Sequence, residues 1–271
     1  MSEKKSKKDS PIGIFDSGLG GLTVTKAIRE KMPNEDVIYY GDTAHVPYGS
    51  KSKDTIVSYT KDAVDFFTEH RVKCIVIACN TATALALPEI KSPVPTIGVI
   101  EAGARAAMRA SKNFKIGVIG TQATIASEAY PKILRALNPA CDIYAHPCPL
   151  FVPLVEEGWL DREATKLVVK EYLTPLKMAQ IDTLVLGCTH YPLLAPVISE
   201  FLGPQVKLVD SATACAEELD EILKEKQIQK EGTGGSETFF VTDGAAKFAE
   251  TGSRFLGHAL QAIKFTPSKG I

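Results

Sequence analysis

Short apolar runs rich in isoleucine and valine alternate along the chain with stretches of helical periodicity. The runs are Ile12 to Phe15, Val37 to Tyr40, Cys74 to Ala78, Thr96 to Val99, Lys115 to Ile119, Thr183 to Leu186 and Lys207 to Val209. Runs this short, bounded by turn residues and separated by helices, predict buried parallel strands in βα units. Helices are predicted over Leu22 to Lys31, Ser52 to Glu69, Ala102 to Ala110, Arg162 to Met178 and Thr213 to Glu225. In the second, Ile56, Tyr59, Ala63, Phe66 and Phe67 recur at spacings of three and four, an apolar stripe to lay on a sheet. The predicted class is α/β. Gln227 to Glu237, with Gly232, Gly234 and Gly235, reads as a polar exposed loop and the best site for insertion or nicking.

An internal repeat sharpens this picture. IGIFDSG from Ile12 resembles IGVIGTQ from Ile116, and CIVIACNTATALALPEI from Cys74 resembles TLVLGCTHYPLLAPVIS from Thr183. The two matches come in the same order at nearly the same offset, which predicts two similar α/β halves. The second match extends past the strand, setting Cys79-Asn80-Thr81 against Cys188-Thr189-His190. A length of 271 residues suits two compact units better than one.

Charge narrows the partners. With 31 Lys plus Arg against 32 Asp plus Glu, the net charge of −1 lacks the basic excess of a nucleic-acid binder. No apolar run approaches the roughly 18 residues of a membrane span. Residues 1–10 carry four lysines with Glu3 and Asp9, a solvated basic tail rather than a signal peptide. The six cysteines, Cys74, Cys79, Cys141, Cys148, Cys188 and Cys215, include no C-x-x-C pair, so reduced, cytoplasmic thiols are expected instead of a disulfide or zinc framework. An isolated cysteine is by default a small buried apolar residue.

In open α/β sheets, ligands bind beyond the carboxyl ends of strands. After Phe15 comes Asp16-Ser17-Gly18-Leu19-Gly20-Gly21, whose glycines allow close backbone approach and whose N–H groups could receive an anion. A phosphate fits poorly. Leu19 and Gly20 stand where a P-loop needs Lys and Ser or Thr, and Asp16 would repel a phosphate. A carboxylate ligand, with Asp16 as acid, base or amine partner, fits better. Cys79 and Cys188 also follow strands and precede helical patterns, where a helix dipole is expected to lower a thiol from about 8.5 toward neutrality. Asn80, Thr81, Thr189 and His190 lie beside them. One thiol from each half suits inversion of a carbon centre, which needs a base on one face and an acid on the other, exchanging roles when the reaction reverses. An α-proton is on the order of ten pKa units weaker an acid than a thiol, a gap of about 14 kcal/mol. Such a site must therefore stabilise a carbanion and exclude water.

The chain resembles the aspartate/glutamate racemase superfamily, and within it the glutamate racemases. The motifs are IGIFDSGLGG (Ile12 to Gly21), YYGDTAHVPYG (Tyr39 to Gly49), ACNTA (Ala78 to Ala82), GVIEAGARAA (Gly98 to Ala107), PLFVPLVEEG (Pro149 to Gly158), LGCTHYPLL (Leu186 to Leu194) and FFVTD (Phe239 to Asp243). The resemblance implies two α/β domains with mainly parallel sheets, related by a pseudo-twofold, with the active site in the cleft between them. It implies domains at 11–97 plus 210–271 and at 98–209, after the tail at 1–10. It implies Cys79 and Cys188 as the acid/base pair, with Asp16 assisting Cys79, and His190 and Glu156 assisting Cys188. In the family the first thiol takes the proton from D-glutamate and the second from L-glutamate.

The substrate contacts implied are Asp16, Ser17, Tyr48, Gly49, Asn80, Thr81, Thr189 and His190. The implied partner is a small molecule, glutamate, with no nucleic acid, membrane, metal, nicotinamide or pyridoxal phosphate; a homodimer is the assembly admitted. Where the family more often has Arg and Pro, this chain has His45 and Ala102, neither a contact position. Without the resemblance Glu156 reads as a solvated charge and Tyr48-Gly49 as a turn after Pro47. The competing readings are a racemase or isomerase for aspartate or a hydantoin, and a non-catalytic amino-acid-binding module.

Overall fold

Every predicted apolar run forms a strand, and every strand ladder is parallel. A computed structural model of the chain describes residues 7–261 and 263–267. The strands are β1 (Ile12–Asp16), β2 (Val37–Gly41), β3 (Cys74–Ile77), β4 (Thr96–Gly98), β5 (Lys115–Gly120), β6 (Asp142–Pro147), β7 (Thr183–Gly187), β8 (Lys207–Asp210), β9 (Glu237–Val241) and β10 (Ile263–Phe265). The helices are α1 (Leu22–Lys31), α2 (Lys53–Glu69), α3 (Asn80–Leu85), α4 (Val99–Ala110), α5 (Gln122–Ala126), α6 (Ala129–Leu137), α7 (Phe151–Glu156), α8 (Glu163–Met178), α9 (Ala195–Leu202), α10 (Ser211–Glu225) and α11 (Ala245–Leu256).

The sheets run β10-β9-β2-β1-β3-β4 and β6-β5-β7-β8. Four strands of the first thus repeat the order of the second, and β9 and β10 extend its β2 edge. The repeat holds to the residue. Ile12 of β1 lies opposite Cys74 of β3, and Ile116 of β5 opposite Thr183 of β7. These four residues begin the matched sequence stretches, so the duplication in sequence is a duplication of strand order and register.

Alternate side chains of the central strands enter different cores, as the period of two requires. Ile12, Ile14, Cys74 and Val76 share a core with Ile119, Leu184 and Leu186 of the other sheet. Phe15, Ile75 and Ile77 face the stripe of α2, including Ile56, Ala63 and Phe67. Ile116, Val118 and Val185 pack with Tyr130 and Leu134 of α6. A Cβ at Gly13 would lie 2.7 Å from the Phe67 ring, so the missing side chain lets α2 settle on the sheet. Each fully buried large apolar side chain contributes about 1.5–3 kcal/mol, and burial on both sheet faces makes these central strands the rigid support for the loops at their carboxyl ends.

Several elements differ from the sequence prediction. Helix α4 starts at Val99 rather than Ala102, because the β-branched Val99 and Ile100 are buried at a helix start directly after β4. Helix α10 starts at Ser211 rather than Thr213, its first turn capped by the Asp210 carboxylate accepting from Ala212 N at 2.9 Å. The 227–237 segment is less free than expected. Ile228 is buried, Lys230 pairs with Asp36 at 2.7 Å, Gly235 N donates to the Pro33 carbonyl at 3.0 Å, and Glu237 already belongs to β9. Only 231–234 stays continuously exposed. Of the basic tail, Lys7–Asp9 forms a 3-10 turn whose Lys8 carbonyl accepts from buried Lys73, while 1–6 lie outside the described residues. Among the described residues no helix is long and apolar enough to cross a membrane.

Candidate active site

The loops that leave the carboxyl ends of β1, β3, β5 and β7 line one cavity of about 390 Å³ between the two sheets' halves. Ser17, Cys79, Asn80 and Thr81 come from the first half and Cys188, Thr189 and His190 from the second, with Tyr48, Gly49 and Glu156 completing the wall. Of the residues singled out from the sequence, Asp16 is the exception: it ends β1, is fully buried and does not line the cavity. Val46, Pro47, Pro149, Val152 and Pro153 supply its apolar lining.

On the first side, Cys79 immediately precedes α3 and is almost wholly buried, its Sγ 3.7 Å from Ser17 Oγ. Asp16 Oδ2 accepts from Gly18 N at 2.9 Å, whereas Oδ1 has no partner. Burial pushes the Asp16 carboxyl up, against the opposing pull of His190 and of the Gly18, Gly21 and Ser17 backbone N–H groups. Burial, reinforced by the Asp16 charge, pushes the Cys79 thiol up to about 12. The expected lowering by a helix dipole is overturned here. Helix α3 has only six residues, and its partial charge cannot offset desolvation beside an acidic neighbour. The protonated thiol is therefore the resting form of Cys79.

The second side carries a cation. Cys188 follows β7 and precedes a 3-10 turn at Tyr191–Leu194 instead of a full helix. His190 Nδ1 lies 3.9 Å from Cys188 Sγ, and its Nε2 lies 3.1 Å from Glu156 Oε1. Burial opposes charge on the ring, but the hydrogen bonds to Cys188 and Glu156 prevail and lift His190 to about 10. Glu156 is lowered in turn, by the His190 hydrogen bond first and against the effect of its own burial. His190 is thus an imidazolium with two donors, one toward sulfur and one toward carboxylate. Phe255 of α11 meets the ring edge-on at 5.4 Å and helps fix its plane.

The glycine loop also serves a neighbour within the protein. A Cβ at Gly20 would overlap Thr189 Oγ1 and the His190 ring, so its bare backbone lets the opposite half's loop approach. Thr23 reinforces the junction by donating to the Thr189 carbonyl at 3.1 Å. Tyr48 also differs. Its hydroxyl donates to Asp42 Oδ2 at 2.6 Å, and Thr242 donates to the other oxygen at 2.9 Å, so the phenol braces the 42–50 loop and leaves its ring for the cavity wall. His45 joins this brace through Asp42 at 2.8 Å and stacks on Tyr59 at 4.2 Å. Among the described residues no group of three or more His, Cys, Asp or Glu is arranged to hold a metal ion.

Residues 12–219 match the profile of the family described as Asp/Glu/Hydantoin racemase. The chain belongs to that family. A glutamate racemase from Geobacter metallireducens is 48% identical over 252 residues, 92% of this chain and 93% of its own. The crystal structure of glutamate racemase isoform RacE1 from Bacillus anthracis superposes with a TM-score of 0.93 at 39% identity, covering 96% of this chain and 98% of that one. Glutamate racemase from Francisella tularensis, solved in complex with D-glutamate, superposes with a TM-score of 0.91 at 38% identity, covering 97% of this chain and 99% of that one.

Within this racemase fold, sequence reasoning missed three polar lining residues, Ser50, Thr121 and Gln122. Thr121 Oγ1 hydrogen-bonds Thr81 Oγ1 at 2.9 Å, joining the β5 and β3 loops across the cavity. A Cβ at Gly49 would lie 2.9 Å from Thr121 Cβ, which packs the 42–50 loop against the same residue. The signal for Thr121 was in the repeat: aligning IGIFDSG with IGVIGTQ puts it opposite Ser17.

Proposed function

We propose that the chain interconverts L- and D-glutamate without a cofactor, with Cys188 taking the α-proton from L-glutamate and Cys79 taking it from D-glutamate. The observation that carries this reading is the pairing of two thiols, from equivalent positions of a duplicated fold, in one cavity with unlike electrostatic surroundings. In the L-to-D direction the Cys188 thiolate removes the α-proton and the electron pair of the broken C–H bond delocalises into the α-carboxylate. The Cys79 thiol then delivers its proton to the opposite face. Each atom is accounted for, and the enzyme is left ready for the reverse reaction. His190, held by Glu156, donates to the Cys188 sulfur; Asp16 serves the Cys79 side. Ser17, Asn80, Thr81 and Thr189, with the backbone at Tyr48-Gly49, supply donors for a ligand's carboxylates. Such preorganised donors are what a carbanion about 14 kcal/mol uphill requires.

The same reading carries finer proposals: domains at 11–97 plus 210–271 and at 98–209, a cytoplasmic site of action, self-association as a homodimer, and supply of D-glutamate for peptidoglycan. The return of β9 and β10 to the first sheet supports the discontinuous domain.

Incubation of purified protein with L-glutamate in D2O tests the activity. Loss of optical rotation with α-deuterium incorporation is expected, and absence of both overturns the reading. Aspartate assayed alongside is expected to turn over far more slowly; the reverse preference would reassign the substrate. An amino-acid-binding module without chemistry would bind glutamate and show no exchange.

A pH profile examines the second side. Because, against burial, the hydrogen bonds to Cys188 and then Glu156, with their charges, hold the proton on His190, kcat/KM for L-glutamate should fall as His190 deprotonates near pH 10. Glu156→Gln removes part of that support, so the alkaline limb should move to lower pH. Ionisation of the substrate ammonium is common to both proteins, and the difference between their profiles isolates the histidine. Coincident alkaline limbs would remove Glu156 from this role.

A further inference from the structure

We propose that Tyr130 is a positioning residue of this site, holding the Asn80 side-chain amide so that its nitrogen is presented to the substrate's carboxylate. The proposal rests on the racemase reading above. Tyr130 lies on α6 in the second half, is 1% exposed and does not line the cavity. Its hydroxyl donates to Asn80 Oδ1 at 2.8 Å, reaching across to the first residue of α3. Ser211, at the start of α10, packs beside the phenol oxygen over Gly103.

These contacts fix a direction. The phenol has one proton, and it is donated to Asn80 Oδ1. With the phenol proton donated to Asn80 Oδ1, the amide keeps its oxygen toward Tyr130 and its nitrogen away from it. Its Nδ2 is left buried with no partner in the protein, on a residue of the cavity wall. A buried amide nitrogen without an acceptor is costly, and the carboxylate of an amino acid supplies the acceptor.

Space has been cleared for this side chain. A Cβ at Gly187 would stand 3.1 Å from Tyr130 Cε2, and one at Gly103 3.2 Å from the phenol oxygen. The ring thus packs against the residue preceding Cys188 while its hydroxyl holds the residue following Cys79. Thr23, donating from α1 to the Thr189 carbonyl, is the reciprocal contact from the first half to the second. Each half thereby braces the loop beside the other's thiol. The Tyr130 hydroxyl orders a binding group without touching the ligand, so its removal should weaken substrate binding more than chemistry.

The experiment is a double-mutant cycle on Tyr130→Phe and Asn80→Ala, read as kcat and KM for both enantiomers. Wild-type turnover is measured first; its absence would sink the racemase reading, and the same cycle is then read as the calorimetric Kd for glutamate, with the same loss and the same non-additivity expected. Tyr130→Phe should lower kcat/KM about tenfold, the worth of one hydrogen bond to a charged group, mainly through KM. In the Asn80→Ala background the same change should have no further effect, because the group it positions is gone. An unchanged kcat/KM in Tyr130→Phe overturns the proposal. So does a tenfold loss that recurs in full on Asn80→Ala, which would make Tyr130 a packing residue acting independently of the amide.

Discussion

Replacing either Cys79 or Cys188 by serine is expected to lower kcat/KM for glutamate by about 10²–10⁴-fold in both directions at once. A serine hydroxyl keeps the shape but is a far weaker acid than a thiol, so neither proton removal nor delivery survives at that face. Every turnover uses both faces, and the equilibrium constant between enantiomers is one. No variant can therefore favour one direction in kcat/KM, and the two losses must match. The variants should differ in residual exchange. With Cys79→Ser, the thiol beside the His190 imidazolium remains, so slow deuterium wash-in should be confined to L-glutamate. With Cys188→Ser, wash-in should be confined to D-glutamate and weaker, because forming a thiolate at Cys79 works against burial and Asp16. Proton NMR of the α-position in D2O, with chiral chromatography of the product, reads both quantities. Near-native racemisation by either variant, or exchange on the opposite enantiomer, would break the assignment.

How far the sequence reveals this site depends on which forces act locally. The central strands β1, β3, β5 and β7 are legible because burial on both faces leaves an unbroken apolar run. Edge strand β6 is not, since DIYAHP is partly exposed along its length and carries Asp142, His146 and Pro147. Helix α7 was hidden by Pro153 in six residues, although the motif containing Glu156 was visible. The strand-end thiols could be placed from the repeat alone, but the protonation of Cys79 could not. A cysteine before a helix reads as activated, whereas the burial that dominates Cys79 comes from residues distant in sequence, among them Phe15, Tyr48 and Tyr59. Gly20 and Tyr48 follow the same logic. Their contacts with Thr189 and His190, and with Asp42, are made by residues that only the tertiary structure brings in.

The largest effect on stability is expected from Lys73→Met, a loss of about 3–5 kcal/mol, the cost of breaking a buried ion pair on one side. Lys73 is 1% exposed and pairs with Glu35, itself 3% exposed. Its ammonium also donates to the carbonyls of Lys8 and Ile228 at 2.9 Å each, and Glu35 Oε1 accepts from Lys230 N at 2.8 Å. One charge thus ties the turn before β1 to the segment after α10, both at the amino ends of the first sheet's strands. Methionine matches much of the volume but leaves the Glu35 carboxylate buried without its cation and two carbonyls without a donor. The site lies at the opposite, carboxyl ends, so kcat/KM at 25 °C should change little while the urea midpoint falls. Lys73→Met with Glu35→Leu should recover much of the loss, because the unpaired charge is gone and the dipoles left behind cost less. A single variant within about 1 kcal/mol of wild type would mean that water reaches Glu35 once the lysine is removed. A double variant as unstable as the single one would instead place the energy in the two carbonyl contacts, making Lys73 a tether for chain segments more than half of an ion pair.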